Sequence, residues 1–408
     1  MKIWFISAYD APKGNSSRTY DYAKALIERG HEVTFFTSSF DHFSRQERLE
    51  RSESFREEYI DGIRVVWLKT IPYHKSTLMR FANMLSNAWR AYYVGKSLGY
   101  DRPDVIVGPS VPLFTGLAAY GLSRSNKCAF CFEVRDIWPQ ALIDLGILSE
   151  SSPVTWGLRK IERFLYKKAH RIVAVLPFAH RHITKSGIDE RKITWLPNGV
   201  NFDRFLECKP YDGGDDRLLR VMYVGRFTTA HSVETIVQAA RIVNERGYAQ
   251  SIKFKLVGGG EEKSCIAKLI NEMQLFNVEL SDTVNKDAIP ALLGTADLLV
   301  ATINDAPVYQ FGVNLNKLYD YLGAGRPILF AGNSPNDPVK DARAGFTVPP
   351  ENPALFADAI IDVYGLPPSQ RREMGERGLA YAKEHFDTRK LAIKLESIFA
   401  SAAGCHSN

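Results

Sequence analysis

Between Tyr309 and Phe330 the chain reads YQFGVNLNKLYDYLGAGRPILF, and its polar residues stand at spacings that could do chemistry. A glycine-bearing loop, Gly312–Asn314, runs into a helix that carries Lys317 and Asp320 one turn apart. A Gly-Arg-Pro turn then leads into an apolar strand. The start of a helix presents unbonded N–H groups and the positive end of the helix dipole, an arrangement that suits a phosphate. A carboxylate one turn further in can accept hydrogen bonds from a pair of sugar hydroxyls. The segment therefore reads as a holder for a nucleotide-sugar, or equally as a surface loop followed by a solvated Lys–Asp pair.

A second constellation closes the run CAFCFEVRDIWPQ. Glu133, Arg135 and Asp136 are out of place inside a buried strand but suit the rim of a cleft at a strand's C-terminal end. For Glu133 a local bridge to an arginine is an equal reading. Cys128 and Cys131 form a C-x-x-C, yet on a strand residues three apart point to opposite faces. Neither a zinc site nor a redox dithiol follows, and five scattered cysteines fit reduced thiols in a cytoplasmic setting. His180-x-His182 sits in a polar stretch and reads as solvated. No clustered His, Cys or Asp set has metal-ligand spacing.

These residues need a scaffold that brings strand ends together. The 408 residues exceed what one core spans, so about two domains are expected. Lys2–Ala8 is a continuous apolar strand. A loop with Gly14 and Asn15 follows, then an amphipathic helix to Arg29 and a strand over Val33–Thr37. This is a βαβ unit whose loop lies where open α/β sheets bind ligands. The dinucleotide fingerprint G-x-G-x-x-G is absent. Asp41–Glu58 is highly charged and reads as a loop or short helix. Ser76–Leu98 and Trp156–Arg171 read as helices, the first aromatic and basic, the second strongly basic. The stripe of the first is core by default, and a membrane-surface face is its second reading.

After the polar stretch KPYDGGDDR the strand–helix alternation begins again. The expected organisation is an N-terminal Rossmann-like domain over 1–205, a linker over 206–217, a second Rossmann-like domain over 218–385, and a terminal helix over 386–408 that packs back on the first. The fold class is α/β, two doubly wound halves facing across a deep cleft. A formal charge of +6 is too mild for a dedicated nucleic-acid binder but accommodates an anionic substrate or membrane surface. No run reaches the roughly 18–20 apolar residues of a membrane span, and the start, MKIWFISAYD, is too soon interrupted for a signal peptide.

Several motifs in order resemble the retaining glycosyltransferases of family 4, which have the GT-B fold. They are the first strand with its glycine loop, RGHEV at Arg29–Val33, PNGV at Pro197–Val200, YVGR at Tyr223–Arg226, LVGGGEE at Leu256–Glu262 and LGAGRPIL at Leu322–Leu329. FEVRDIWPQ, TAHSVET and NKLYDYLGAGRP are most similar to a bacterial subgroup that includes N-acetylfucosamine transferases of lipopolysaccharide and capsule assembly.

The resemblance implies a UDP-linked, N-acetylated sugar donor, no metal or other cofactor, and a polyprenyl-diphosphate-linked or other glycan acceptor at the cytoplasmic face of the inner membrane. It makes Arg226 and Lys317 the diphosphate clamp. His231 stands where the family has a second clamp cation, a role it would fill best when protonated, and it reads equally as a surface residue at the start of a helix. The N–H groups of Gly14–Asn15 and of Gly312, Val313 and Asn314 would face the diphosphate. Asp320 would hold the ribose. Gly259, Glu261 and Val284 would border the base, and Asn198 of the PNGV turn would contact the donor. Arg135 and Asp136 would orient reacting hydroxyls. The family's paired glutamates appear here as Gly312 and Asp320.

Two other functions fit parts of the chain. A nucleotide-sugar 2-epimerase of the same fold needs acid/base carboxylates at the sugar, for which only Glu133 and Asp136 offer themselves. A non-enzymatic anion or nucleic-acid binder would use the basic helices but leaves Arg226 and the glycine loops unexplained.

Overall fold

The computed structural model describes residues 1–12, 18–42, 44–74, 76–99, 102–215 and 217–407. Two compact units emerge, one of residues 1–198 with 388–408, the other of residues 199–387.

The first unit starts with β1 (Lys2–Ile6), α1 (Arg18–Glu28), β2 (Glu32–Ser38), β3 (Phe55–Ile60) and β4 (Ile63–Leu68). It continues with α2 (Thr77–Ser97), β5 (Val105–Pro109), α3 (Leu113–Asn126), β6 (Ala129–Val134), α4 (Gln140–Asp144) and α5 (Pro153–Lys168). β7 (Arg171–Ala174), α6 (His180–Ile183) and β8 (Ile193–Trp195) follow. The sheet order is β3-β4-β2-β1-β5-β6-β7-β8. All pairs are parallel except β3–β4. Near-continuous apolar strands such as β1 and β6 are buried on both faces, as parallel strands between helix layers must be.

β3 takes up the last four residues, 55–58, of the loop or short helix expected over Asp41–Glu58, and pairs with β4 as a hairpin. Its turn is Asp61-Gly62, at φ 49° and 80°. An Asp-Gly pair takes these left-handed angles readily, and they match the twist of two antiparallel strands. The alternation in FREEYI puts Arg56, Glu57 and Glu58 on an edge strand, where charge discourages pairing with other chains. The basic helix also begins earlier than expected. Pro153 opens α5 behind the cap Ser152, whose hydroxyl accepts from the Val154 N–H at 3.2 Å.

The second unit carries β9 (Leu219–Val224), α7 (Val233–Glu245), β10 (Ile252–Val257), α8 (Lys263–Glu272), β11 (Val278–Ser281), α9 (Ile289–Leu293) and β12 (Leu298–Thr302). It ends with α10 (Asn316–Ala324), β13 (Ile328–Ala331), α11 (Pro338–Asp341), β14 (Gly345–Val348), α12 (Pro353–Gly365) and α13 (Pro368–His385). The fully parallel order is β11-β10-β9-β12-β13-β14, so the winding reverses between β9 and β12. The last helix, α14 (Thr388–Ser407), belongs to the first unit. Its Leu391, Leu395, Ile398 and Phe399 lie in one core cluster with Phe5, Leu26 and Val107.

The stretch expected as a linker is not free around Lys209 and Tyr211. Arg326, 2% exposed, donates to the carbonyls of Lys209 (2.7 Å), Gly294 (2.7 Å), Ala324 (2.6 Å) and Ala296 (3.2 Å), and stacks 4.9 Å from the Tyr211 ring centre. This arginine fixes the stretch to the second unit because its planar fork alone reaches so many carbonyls at once. Arg326→Met is expected to cost on the order of 3 kcal/mol or more, since buried acceptors lose their donors. Denaturant unfolding followed by signals from the second unit would measure it.

Candidate functional site

In the second unit the candidate residues gather where the sheet's winding reverses, the place at which doubly wound sheets bind ligands. β9 and β12 pair at Leu298–Val221 and Leu299–Met222. Beyond that pairing, the Tyr321 hydroxyl of α10 bonds both main-chain groups of Val224, accepting from its N–H at 2.8 Å and donating to its carbonyl at 3.2 Å. Tyr321 thus takes the place of a strand neighbour and holds α10 against the mouth of the opening.

One turn earlier on α10, the Lys317 ammonium donates to the Tyr223 hydroxyl at 2.7 Å and sits 4.2 Å from that ring's centre. Tyr223 in turn donates to the Arg226 carbonyl at 2.6 Å. Gly225 allows this contact, since a Cβ there would lie 2.7 Å from Lys317 Nζ. Gly258, at φ 153°, packs against the same turn, and its missing Cβ would fall 1.8 Å from the Gly225 carbonyl oxygen. Burial pulls the Lys317 ammonium down to about 7. Arg226 pairs with Glu261 at 3.5 Å, both side chains being about half exposed at 49% and 61%.

His231 differs from the protonated role expected of it. Burial, with the charge of Lys317 adding to it, pushes its imidazole down to about 3. Its Nδ1 lies 3.0 Å from the Arg226 carbonyl, which can only accept, so Nδ1 carries the proton of a neutral ring. His231 braces the Arg226 turn and supplies no positive charge.

The Gly312–Asn314 loop is also corrected. The Gly312 N–H closes a turn onto the Tyr309 carbonyl at 2.9 Å, and the Val313 N–H donates to Asn336 Oδ1 at 2.8 Å. Asn336 Nδ2 returns a bond to the Val313 carbonyl at 3.0 Å. Two of the three expected phosphate donors are thus already used within the fold. Asn314 Oδ1 accepts from Tyr319 at 2.8 Å. Asp320 lies partly exposed on α10, while Gly259, Glu261 and Val284 are at the surface beyond β10 and β11.

In the first unit the strand-end charges form a buried network. Arg135 reaches Asp10 (2.7 Å), Glu133 (2.6 Å) and Thr19 (2.7 Å). Arg18 grips the other oxygen of Glu133 at 2.9 Å and donates to Asn198 Oδ1 at 2.9 Å and to the carbonyls of Pro197 and Leu196. Burial alone would raise the Glu133 carboxyl, but the Arg135 and Arg18 guanidiniums overcome it and hold the group down to about 2. Glu133 is therefore a structural anion with no capacity for proton transfer near neutral pH.

Arg135 is spent inside this network, contrary to its expected role toward hydroxyls of a substrate. Asn198 is likewise engaged in the first unit, where its Oδ1 accepts from Arg18. Asp136 alone of the strand-end charges is exposed. Its surroundings nonetheless raise the carboxyl above its ordinary value, with Arg135 opposing. Gly14 and Asn15 lie outside the described residues. His182 is not solvated, for its Nε2 bonds the buried Glu162 at 2.8 Å. Cys128 and Cys131 are buried free thiols, and burial pushes Cys128 up to about 12.

Sequence reasoning missed Tyr223, Tyr321, Asn336, Asp10 and Arg18. Asp10 carried a usable signal, a carboxylate just past an apolar strand, which is the argument applied to Glu133. A cavity of about 1160 Å³ opens beside Tyr211, Arg220 and Lys253, where β9 and β10 begin, and holds none of the candidates.

The chain matches the model described as Glycosyl transferase 4-like domain over residues 13–199 and that described as Glycosyl transferases group 1 over residues 219–365. It is 21% identical to WcaI of Escherichia coli (strain K12), named as a colanic acid biosynthesis glycosyl transferase, over 73% of this chain and 75% of that one. Among solved structures it superposes on sucrose-phosphate synthase from Thermosynechococcus elongatus with a TM-score of 0.76, at 17% identity and 99% coverage of both chains. Anabaena HepE in complex with UDP and glucose gives a TM-score of 0.68, at 15% identity over 98% of this chain and 99% of that one. The two-unit α/β architecture is the GT-B fold.

Two stability profiles follow. Glu133, lowered from 4.5 to about 2, contributes stability that is complete above about pH 4.5 and lost as pH falls through 2. Glu133→Gln is expected to lower stability at pH 7 by roughly 3 kcal/mol and to flatten that acid limb. Lys317, lowered from 10.5 to about 7, carries a cost instead: burial penalises its charged form, and the penalty is fully present below pH 7. Stability should rise from pH 7 toward 10 as the unfolded chain binds the extra proton. Lys317→Met should remove that rise in urea titrations across pH.

Proposed function

This chain belongs to the family 4 glycosyltransferases, and on that premise we propose that it moves an N-acetylated sugar from a UDP-linked donor to a polyprenyl-diphosphate-linked glycan in surface polysaccharide synthesis, with retention of configuration. The observation that carries the reading is the Lys317–Tyr223–Arg226 cluster at the β9/β12 reversal. A partly buried ammonium held next to the Arg226 turn is a poor surface feature and a good diphosphate site, because Coulomb attraction strengthens as water is excluded. That the structure of HepE was solved with UDP supports the choice of nucleotide.

In this reading the acceptor oxygen bonds to the anomeric carbon on the face from which the diphosphate oxygen departs. The acceptor's proton passes to the departing phosphate. Arg226 and Lys317 offset the charge that develops there, so no metal is needed. Asp320 holds ribose hydroxyls, its side chain one methylene shorter than the family's glutamate. Gly312, in place of the other glutamate, leaves space beside the donor sugar. Asp136 orients a reacting hydroxyl.

Contact with the cytoplasmic face of the inner membrane is supported by α2, whose outer face carries a large apolar stripe. Its buried face carries Asn83 and Asn87, with Asn83 bonded to Thr70 (3.0 Å) and the Ile71 carbonyl (2.7 Å). Leu78, Phe81, Leu85, Trp89 and Tyr93, expected in the core, are exposed in a row at helical spacing. Trp156 on α5 is exposed too, with Lys160 Nζ 3.5 Å from its ring centre. Apolar side chains flanked by lysine and arginine are what an anionic interface binds.

Arg226→Ala should weaken UDP binding at least about tenfold by calorimetry, and unchanged affinity would sink the clamp. At pH 8, UDP binding should take up a proton, because the diphosphate restores the charge on Lys317. Titrations in buffers of different ionisation enthalpy would detect this uptake, and it should vanish in Lys317→Met. Trp89→Glu with Leu85→Glu should abolish sedimentation with anionic vesicles while donor hydrolysis persists. Transfer assays with a panel of nucleotide-sugars, with and without EDTA, test donor choice and metal independence directly.

A further inference from the structure

The ends of β1, β2 and β4 carry a cluster that the donor chemistry leaves unused. Tyr9 follows β1, Phe40, His42 and Arg45 follow β2, and Tyr73 follows β4. Arg80 lies in the first turn of α2. The rings of Tyr9 and His42 lie 4.9 Å apart, His42 Nδ1 bonds the Tyr73 hydroxyl, and Phe40 packs 5.3 Å from Tyr73. These rings make an aromatic floor. The Arg45 guanidinium sits over it, 4.5 Å from the Tyr73 ring centre. The charges of Arg80 and Arg45 both act on the Tyr9 hydroxyl.

Neither arginine has a carboxylate within ion-pair reach among the described residues, whereas neighbouring Arg48 has Asp41 at 3.8 Å. Arg45 also has φ 60°, a conformation that costs a non-glycine residue about 1 kcal/mol or more. Its Nη1 and the Oγ of fully buried Ser39 are enclosed with no hydrogen-bond partner. Enclosed polar atoms without partners are rare in folded proteins, and guanidiniums without counter-ions call for an anion. The position, at C-terminal strand ends, is where this fold class takes ligands.

We propose that Arg45 and Arg80, above the Tyr9–His42–Tyr73 floor, bind the phosphate or diphosphate of the acceptor, with an acceptor ring resting on the aromatic surface. The assignment rests on the glycosyltransferase reading for the word acceptor, but the anion site stands on its own geometry. The bare charges then have their counter-ion in the bound state only, which makes the site selective for phosphorylated over neutral glycans.

The test uses the full chain with UDP at saturation, so that the donor clamp is filled, and titrates geranyl diphosphate and inorganic pyrophosphate calorimetrically. At least one anion is expected to bind, and at least about tenfold more weakly to Arg45→Gln/Arg80→Gln, with UDP affinity unchanged. Preference for geranyl diphosphate assigns a lipid-linked acceptor, and equal binding of pyrophosphate assigns a soluble phosphorylated one. Arg45→Lys/Arg80→Lys should recover part of the affinity, which separates loss of charge from loss of folding. Absence of binding by both anions, or equal binding by wild type and the glutamine variant, overturns the site. If UDP itself does not bind, the donor reading fails, while the anion titration without UDP still reports on Arg45 and Arg80.

Discussion

A lysine ammonium partly withheld from water organises the second unit. Lys317 can be there only because Gly225 offers no Cβ, because Tyr223 gives it an oxygen and a π-face, and because Tyr321 anchors the helix that delivers it. Each of these conditions engages a different element: the end of β9, the turn after it, and α10. The Gly258 turn after β10 then closes against Gly225. The free protein bears the cost of a partly neutralised lysine, and an anionic ligand would relieve it. The first unit solves the converse problem. There Asp10, Glu133, Arg18 and Arg135 cancel one another inside the fold, so a strand-end cluster that looks reactive is a rigid platform. Breaking one member would strand the others, which is why such networks are costly to perturb.

Much of this was legible in the amino-acid sequence, and the failures have physical causes. Strand–loop–helix alternation and the ordered motifs gave the doubly wound halves, because apolar runs bounded by glycine leave few other structures. Arg226 and Lys317 were readable because cations beside glycine turns are rarely accidental. Whether an N–H or a guanidinium is already committed was not readable. The partners of Val313 and Arg135 are Asn336 and Asp10, far away in the chain, and spacing is silent about them. The state of His231 was hidden for the same reason, since burial and Lys317 set it together. The Asp61-Gly62 hairpin, by contrast, was written plainly in two residues and was masked by the charge around it.

Helix α2 shows how far periodicity alone can mislead. A stripe of Leu, Phe and Trp at helical spacing normally faces inward. Here the strand ends beneath the helix offer polar groups, and Asn83 and Asn87 donate to two of them, the Thr70 hydroxyl and the Ser7 carbonyl. The inner face is filled by these asparagines together with Met84, Ala91 and Val94, and the larger apolar stripe faces outward.

The placement of α14 has a consequence for how the protein is made. Phe399, Leu395 and Ile398 come from the final helix yet complete the core around Phe5 and Val107. A ribosome releasing the chain from its N-terminus therefore exposes an unfinished first unit while all of residues 199–387 are synthesised. The second unit is contiguous and can close first. The first must wait for the last helix to emerge, holding an apolar sheet face open meanwhile. Nascent-chain chaperoning, and the harm done by a stop ahead of α14, would fall on the first unit.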